Sequence, residues 1–191
     1  ERSLNSRTRE ENDKEEVDFM REMERREVGH YMAADDILIR DLFSQMWCGK
    51  NEKAWSELEN LSIDGSHLAR AAVAVCYGCP DIDVIMTDAA KYKLEAGQCI
   101  SWLQDNSARG SKSAQFFLGA FYENGIMVTR DYDRAFELYR SSAEQGYSPA
   151  QYSLGVCYEI EQGIVGNQHE AIHWYRRAAE QGYVHARANI G

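Results

Sequence analysis

The stretch "AQFFLGAFYENGIMVTRDYDRAFELYRSSAEQGYSP" (114–149) is followed directly by "AQYSLGVCYEIEQGIVGNQHEAIHWYRRAAEQGYVH" (150–185), and the two align without a gap at a 36-residue period. Ala114, Leu118, Gly119 and Tyr122 return as Ala150, Leu154, Gly155 and Tyr158. Ala135, Tyr139, Ala143 and Gly146 return as Ala171, Tyr175, Ala179 and Gly182. A period of this length is the mark of a stacked repeat. Within each unit the recurring residues step by three and four, which lines one face of a helix, so the unit reads as two helices joined by a loop. Gly146 and Gly182 stand where a helix ends in a left-handed residue, and Gly119 and Gly155 allow two helices to approach closely. A pair this short cannot bury its own apolar face, so neighbouring pairs must stack.

The periodicity extends outward with decay. Downstream, Ala186 and Gly191 take the places of Ala150 and Gly155, so 186–191 begins a further repeat. Upstream, "ARAAVAVCY" (69–77) matches the first helix and "CISWLQDNSARG" (99–110) the second, making 67–113 a degenerate repeat with an insertion at 78–97. The insertion either lengthens the second helix or forms a loop of its own. Residues 33–66 read as a degenerate helix pair, from "DILIRDLFSQMW" (36–47) and "KAWSELENLSIDG" (53–65). Residues 1–32 lie outside the pattern. Their "RTREENDKEEVDFMREMERREVG" (7–29) predicts a solvated helix with a narrow stripe of Val17, Met20 and Met23, which caps the array or pairs with a partner helix.

The motif A-x-x-x-L-G-x-x-Y followed by A-x-x-x-Y-x-x-A-A-E-Q-G resembles the Sel-one-like repeat, a relative of the tetratricopeptide repeat. The match covers 114–185 specifically and 33–113 loosely. The resemblance implies an all-α protein, a right-handed α-solenoid of stacked antiparallel helix pairs, acting as an adaptor or scaffold without catalytic chemistry or a cofactor of its own.

Residues 169–173, His-Glu-Ala-Ile-His, spell H-E-x-x-H, which on a zincin helix supplies two metal ligands and a general base. In the repeat register they replace Asp133 to Glu137, with Ala171 at the small packing position and both histidines in solvent-facing slots. The stretch is therefore a building block, and a zinc metallopeptidase remains only a remote alternative. Cys76-Tyr77-Gly78-Cys79 has no second C-x-x-C, and Cys76 holds the slot of Phe121 and Cys157, so it reads as a buried small hydrophobe. Phosphate-binding glycine loops and a nucleophile elbow are absent from the sequence.

With 31 acidic against 21 basic residues, a formal charge of −10, the net field opposes nucleic acid and anionic headgroups. Arg134, Arg140, Arg176 and Arg177 recur as solvated helix faces. No apolar run reaches the roughly 18 residues of a membrane span, so direct membrane insertion is not expected. The five cysteines, an odd number at irregular spacing, favour a reducing, cytoplasmic compartment, although Asn60-Leu61-Ser62 is a sequon compatible with a secretory route. Both ends read as cut from a longer protein, which keeps open a second function, the regulatory or targeting arm of a larger enzyme.

In a stacked array the first helix of each pair lines a concave groove. The face left over after packing runs through Phe116, Ala120 and Glu123, with Asn124, and again through Tyr152, Val156 and Glu159; Ala71 and Val75 continue it upstream. Exposed aromatics rimmed by carboxylates predict a surface for a protein or peptide carrying basic or hydrogen-bond-donating groups. The alternative is that Phe116 and Tyr152 pack between repeats. Oligomeric state is not legible.

Overall fold

A computed structural model describes residues 36–45, 52–78 and 89–190, with the side chains of 77–78 and 89–95 excepted. The charged segment 1–32 and residues 79–88 of the insertion lie outside these residues. Residues from 39 onward form one unit, and 36–38 group with the chain that precedes them.

The described residues contain helices and no strands. A helix at 36–45 (α1) comes first, followed by α2 (Glu52–Ile63), α3 (His67–Gly78) and α4 (Ala89–Ala108). Then come α5 (Lys112–Asn124), α6 (Tyr132–Glu144), α7 (Ser148–Ile160), α8 (Gln168–Glu180) and the short α9 (Val184–Ala188). The fold is an all-α solenoid in which α3 and α4, α5 and α6, and α7 and α8 are successive pairs, and α9 is the first helix of another.

Local chemistry sets the boundaries. The Ser111 hydroxyl accepts from the Ala114 amide at the start of α5, and the Asp131 carboxylate accepts from the Arg134 amide at the start of α6. Asn167, one period after Asp131, does the same for His169 and Glu170 at the start of α8. Each satisfies amides that the first helical turn cannot pair internally. The second helices end at left-handed glycines, Gly110, Gly146 and Gly182 with φ of 88°, 81° and 84°. Within a pair, a Cβ on Gly119 or Gly155 would fall 2.8 Å or 2.7 Å from the ring of Tyr139 or Tyr175, which is why glycine stands opposite tyrosine. The upstream pair holds Ala74 and Leu103 in those places, both fully buried.

The α4 helix, with 20 residues against 13 in α6 and α8, settles part of the insertion. Residues 89–95 add turns to the N-terminal end of a second helix whose repeat portion keeps Ala96, Cys99 and Leu103 in the core.

At the upstream end, α1 has contacts that the reading of 33–66 as a helix pair did not include. The Phe43 ring meets Phe116 and Phe117 of α5 edge-on, at centroid separations of 5.8 Å and 5.5 Å. Ser44, the next residue, makes a backbone hydrogen bond with His185 of α9. Residues 39–45 of α1 thus lie across the face built from first helices, with Ile39, Leu42 and Phe43 buried at i, i+3 and i+4. A repeat helix and a helix laid on the repeats carry the same apolar spacing, and only the tertiary contacts separate them.

Candidate functional site

The residues that the sequence assigns to the groove fall into two groups. Ala71, Val75, Phe116 and Ala120 are buried, Phe116 to 4 % exposure, and are corrected from exposed contact residues to covered ones. Phe116 is enclosed by Phe117, Tyr139 and Tyr147 of the array, at 5.0, 5.8 and 5.5 Å between ring centroids, and by Phe43 of α1. Packing between repeats, the alternative left open above, is therefore what the array does with this position. Tyr152 follows the same plan against Tyr175 and Tyr183, at 5.6 and 5.4 Å, but it and Val156 remain half-exposed.

The two carboxylates are already engaged. Tyr139 donates its hydroxyl hydrogen to Glu123 Oε2 at 2.6 Å, and Tyr175 donates to Glu159 Oε2 at 2.5 Å one repeat later. Burial lifts the Glu123 carboxyl above the ordinary carboxylate range, against the opposing pull of the Tyr139 hydroxyl and the Arg130 charge. Glu159 is exposed and keeps a side open to solvent. Asn124 turns its amide back to the Ala120 carbonyl at 2.9 Å.

The surface changes character along the face. Phe116 and Phe117 beneath α1 become Tyr152 and Ser153 one repeat on, where Ser153 is half-exposed while Phe117 is fully buried. Asn189 lies beside the hydroxyls of Tyr152 and Tyr175, and His185 lies 5.8 Å from the Tyr152 ring. Phe116 and Phe117 lie against Phe43 of α1, and the open part of the face is polar and aromatic. Tyr152, Val156 and Glu159 lie together there, whereas Ala71, Val75, Phe116 and Ala120 are covered.

A glutamine ladder was missed from sequence, although its members recur at the repeat period. Gln115 donates to the Ser107 carbonyl of the preceding pair and accepts from Gln145 at 2.7 Å. Gln151 donates to the Ala143 carbonyl and accepts from Gln181 at 2.7 Å. Each ladder step joins three helices, α4 to α5 to α6 and then α6 to α7 to α8, and satisfies a buried amide completely enough to fix the stacking register.

The H-E-x-x-H stretch lies on α8 with His169 and His173 exposed and Ala171 buried in the pair interface. Among the described residues no three His, Cys, Asp or Glu side chains are placed to share a metal ion. Cys76, Cys99 and Cys157 are buried free thiols. Burial and the Glu123 charge push the Cys157 thiol up to about 12, so it behaves as a small hydrophobe. Much of the basic character read from sequence is locally paired: Arg140 bridges Glu137 at 2.8 Å, Arg134 pairs with Asp131 at 3.2 Å, and Arg177 lies 4.8 Å over the Trp174 ring. No helix among the described residues is long and apolar enough to cross a membrane.

Comparison with known proteins agrees with this geometry. The family model for the Sel1 repeat matches twice, at 112–147 and 148–183. No curated protein sequence matches the chain. Among solved structures, a Sel1 repeat protein from Oxalobacter formigenes is 36% identical over 49% of this chain and 38% of its own, with a TM-score of 0.47. A protective antigen present in uropathogenic Escherichia coli strains, displaying an SLR fold, is 26% identical over 74% of this chain and 28% of its own, with a TM-score of 0.51. The chain spans well under half the length of either solved chain. Both repeat matches fall on the helix pairs α5–α6 and α7–α8, between flanking helices that continue the stack, so over 112–183 the chain is similar to Sel1 repeat proteins.

Proposed function

We propose that the chain is a non-catalytic adaptor module that holds a protein segment on the face formed by its first helices, at the open stretch of Tyr152, Val156 and Glu159. Sel1 repeats generally serve as protein–protein interaction scaffolds, which supports the class of function. The observation that carries the placement is the change along the face from covered Phe116 and Phe117 to half-exposed Tyr152 and Val156 beside an exposed carboxylate. Tyrosine offers a large contact area with a polar end at little entropic cost, and Glu159 suits a Lys, Arg or amide donor on the incoming segment.

The test is affinity capture from native extract on the full chain beside a Tyr152→Glu, Val156→Glu double variant that circular dichroism shows to be folded. A defined protein retained by the parent and lost at least tenfold with the variant is the expected result. Retention of the same proteins by both moves the binding surface elsewhere. Phe116 is unsuitable for such a variant, since a carboxylate placed among four rings would test folding instead of binding.

A further inference from the structure

We infer that α1 is a resident, displaceable occupant of the first-helix face, and that its seat accepts from a partner an amphipathic helix with the same anchors, aliphatic at i and i+3 and aromatic at i+4. The inference rests on the adaptor reading and deepens it, by naming the kind of segment bound and what holds the face closed without it.

Three observations carry it. First, α1 lies on α5 through Phe43 and reaches α9 through Ser44, so it crosses helices that belong to different repeats. A segment that crosses a repeat array in this way stands where a ligand stands in helix-in-groove recognition. Second, the face is shaped for it. Phe117 is buried where the next repeat has a half-exposed serine, so the apolar character is concentrated under the occupant and does not belong to the repeat pattern. Third, the attachment is narrow. Of residues 39–45 only Ile39, Leu42 and Phe43 are buried, and Arg40 pairs with its own neighbour Asp41 at 2.8 Å instead of with the array. A short helix that buries three apolar side chains is the kind of element that opens locally while the rest stays folded, and a partner helix that presents the same three anchors gains the same apolar contacts.

The probe is a fluorescent, end-capped peptide with the sequence of residues 36–45, "DILIRDLFSQ", titrated against the full chain and against its Phe43→Asp variant. In the parent the seat is filled, and in the variant the tethered helix has lost its aromatic anchor. The expected result is at least tenfold tighter peptide binding to the variant, with binding abolished when the peptide itself carries aspartate in place of the residue-43 phenylalanine. Equal binding to parent and variant, or binding to neither, overturns the inference. If the variant loses the helical circular dichroism and cooperative unfolding of the parent, α1 is an integral part of the core and the inference also fails. A companion variant, Phe43→Ala, guards against an effect peculiar to the buried charge and is expected to move binding in the same direction. Peptide binding to a chain that carries Tyr152→Glu and Val156→Glu together with Phe43→Asp separates the two proposals. If the peptide binds this chain as tightly as it binds the Phe43→Asp chain while capture shows no partner at Tyr152, the open site is wrong and the α1 seat stands.

Discussion

Glu123 and Glu159 hold equivalent positions and accept equivalent tyrosine hydrogen bonds, yet their surroundings differ, and that difference is testable. Glu123 is half-buried and its carboxyl is raised, chiefly by burial; Glu159 is exposed. Removing the donor with Tyr139→Phe leaves a partly desolvated carboxylate short of a partner and is expected to lower stability by about 1.5–3 kcal/mol at neutral pH. Tyr175→Phe, whose acceptor is free to turn to water, is expected to lose less than about 1 kcal/mol. The pH dependence has a definite sign. A carboxyl whose folded pKa lies above its unfolded value contributes most below the unfolded value, and that contribution is lost as pH rises through the folded pKa. The Tyr139 bond holds the Glu123 pKa down, so Tyr139→Phe raises it further, and the deficit of the variant shrinks as the solution is acidified from neutral toward the ordinary carboxylate range. Urea unfolding of both variants across that range measures this, and a constant deficit at every pH would remove Glu123 from the explanation. From sequence the glutamates read as groove-facing acceptors for a ligand. Helical spacing showed which face they lie on, but not that a tyrosine sixteen residues ahead in each repeat reaches back to claim them.

At the scale of elements, the helix pairs were legible because the same contacts are encoded twice. The small residue opposite tyrosine, the capping Asp131 or Asn167 and the left-handed glycine all recur at one period, so each copy supports the reading of the other. The loops between paired helices show the same economy in a less obvious form. Positions 125 and 161, and 127 and 163, are equivalent and all have positive φ, but each repeat places glycine at only one of its two: Gly125 with Met127, and Glu161 with Gly163. Glu161 at φ 60° therefore carries backbone strain, while Gly163 is required, since a Cβ there would fall 2.3 Å from the Tyr132 carbonyl oxygen. Glu161→Gly is expected to stabilise by about 0.5–1 kcal/mol, the relief of a left-handed side chain set against the added freedom of the unfolded chain. Gly163→Ala is expected to destabilise by more than that, because the clash is with backbone; thermal unfolding of the two variants should shift in opposite directions. Helix α1 was the element whose neighbours the sequence did not show. Ile39, Leu42 and Phe43 have the spacing of any amphipathic helix, and the pattern records that a face is buried without recording against what. The available signal was indirect: a phenylalanine at 117 where the neighbouring repeats have Ala72 and Ser153.

For the molecule as a whole, the repeat stack supplies a face and α1 divides it. The covered part is apolar, and the open part around Tyr152 and Val156 is aromatic and polar, so one array presents two surfaces of different chemistry. The sequence made the stack and its first-helix face legible but not this division, because burial of Phe116 comes partly from a helix more than seventy residues earlier in the chain. The account stands on α1 being seated on the array as a separable unit, and hydrogen exchange of the full chain under native conditions tests that most directly. The amides of 39–45 are expected to exchange together, slower than an unfolded segment but through an opening at least tenfold more populated than that of α5 to α8. Exchange of α1 in step with α5 to α8 would make it part of one cooperative core, and exchange at the unfolded rate would mean that it is not seated there; either result contradicts the account.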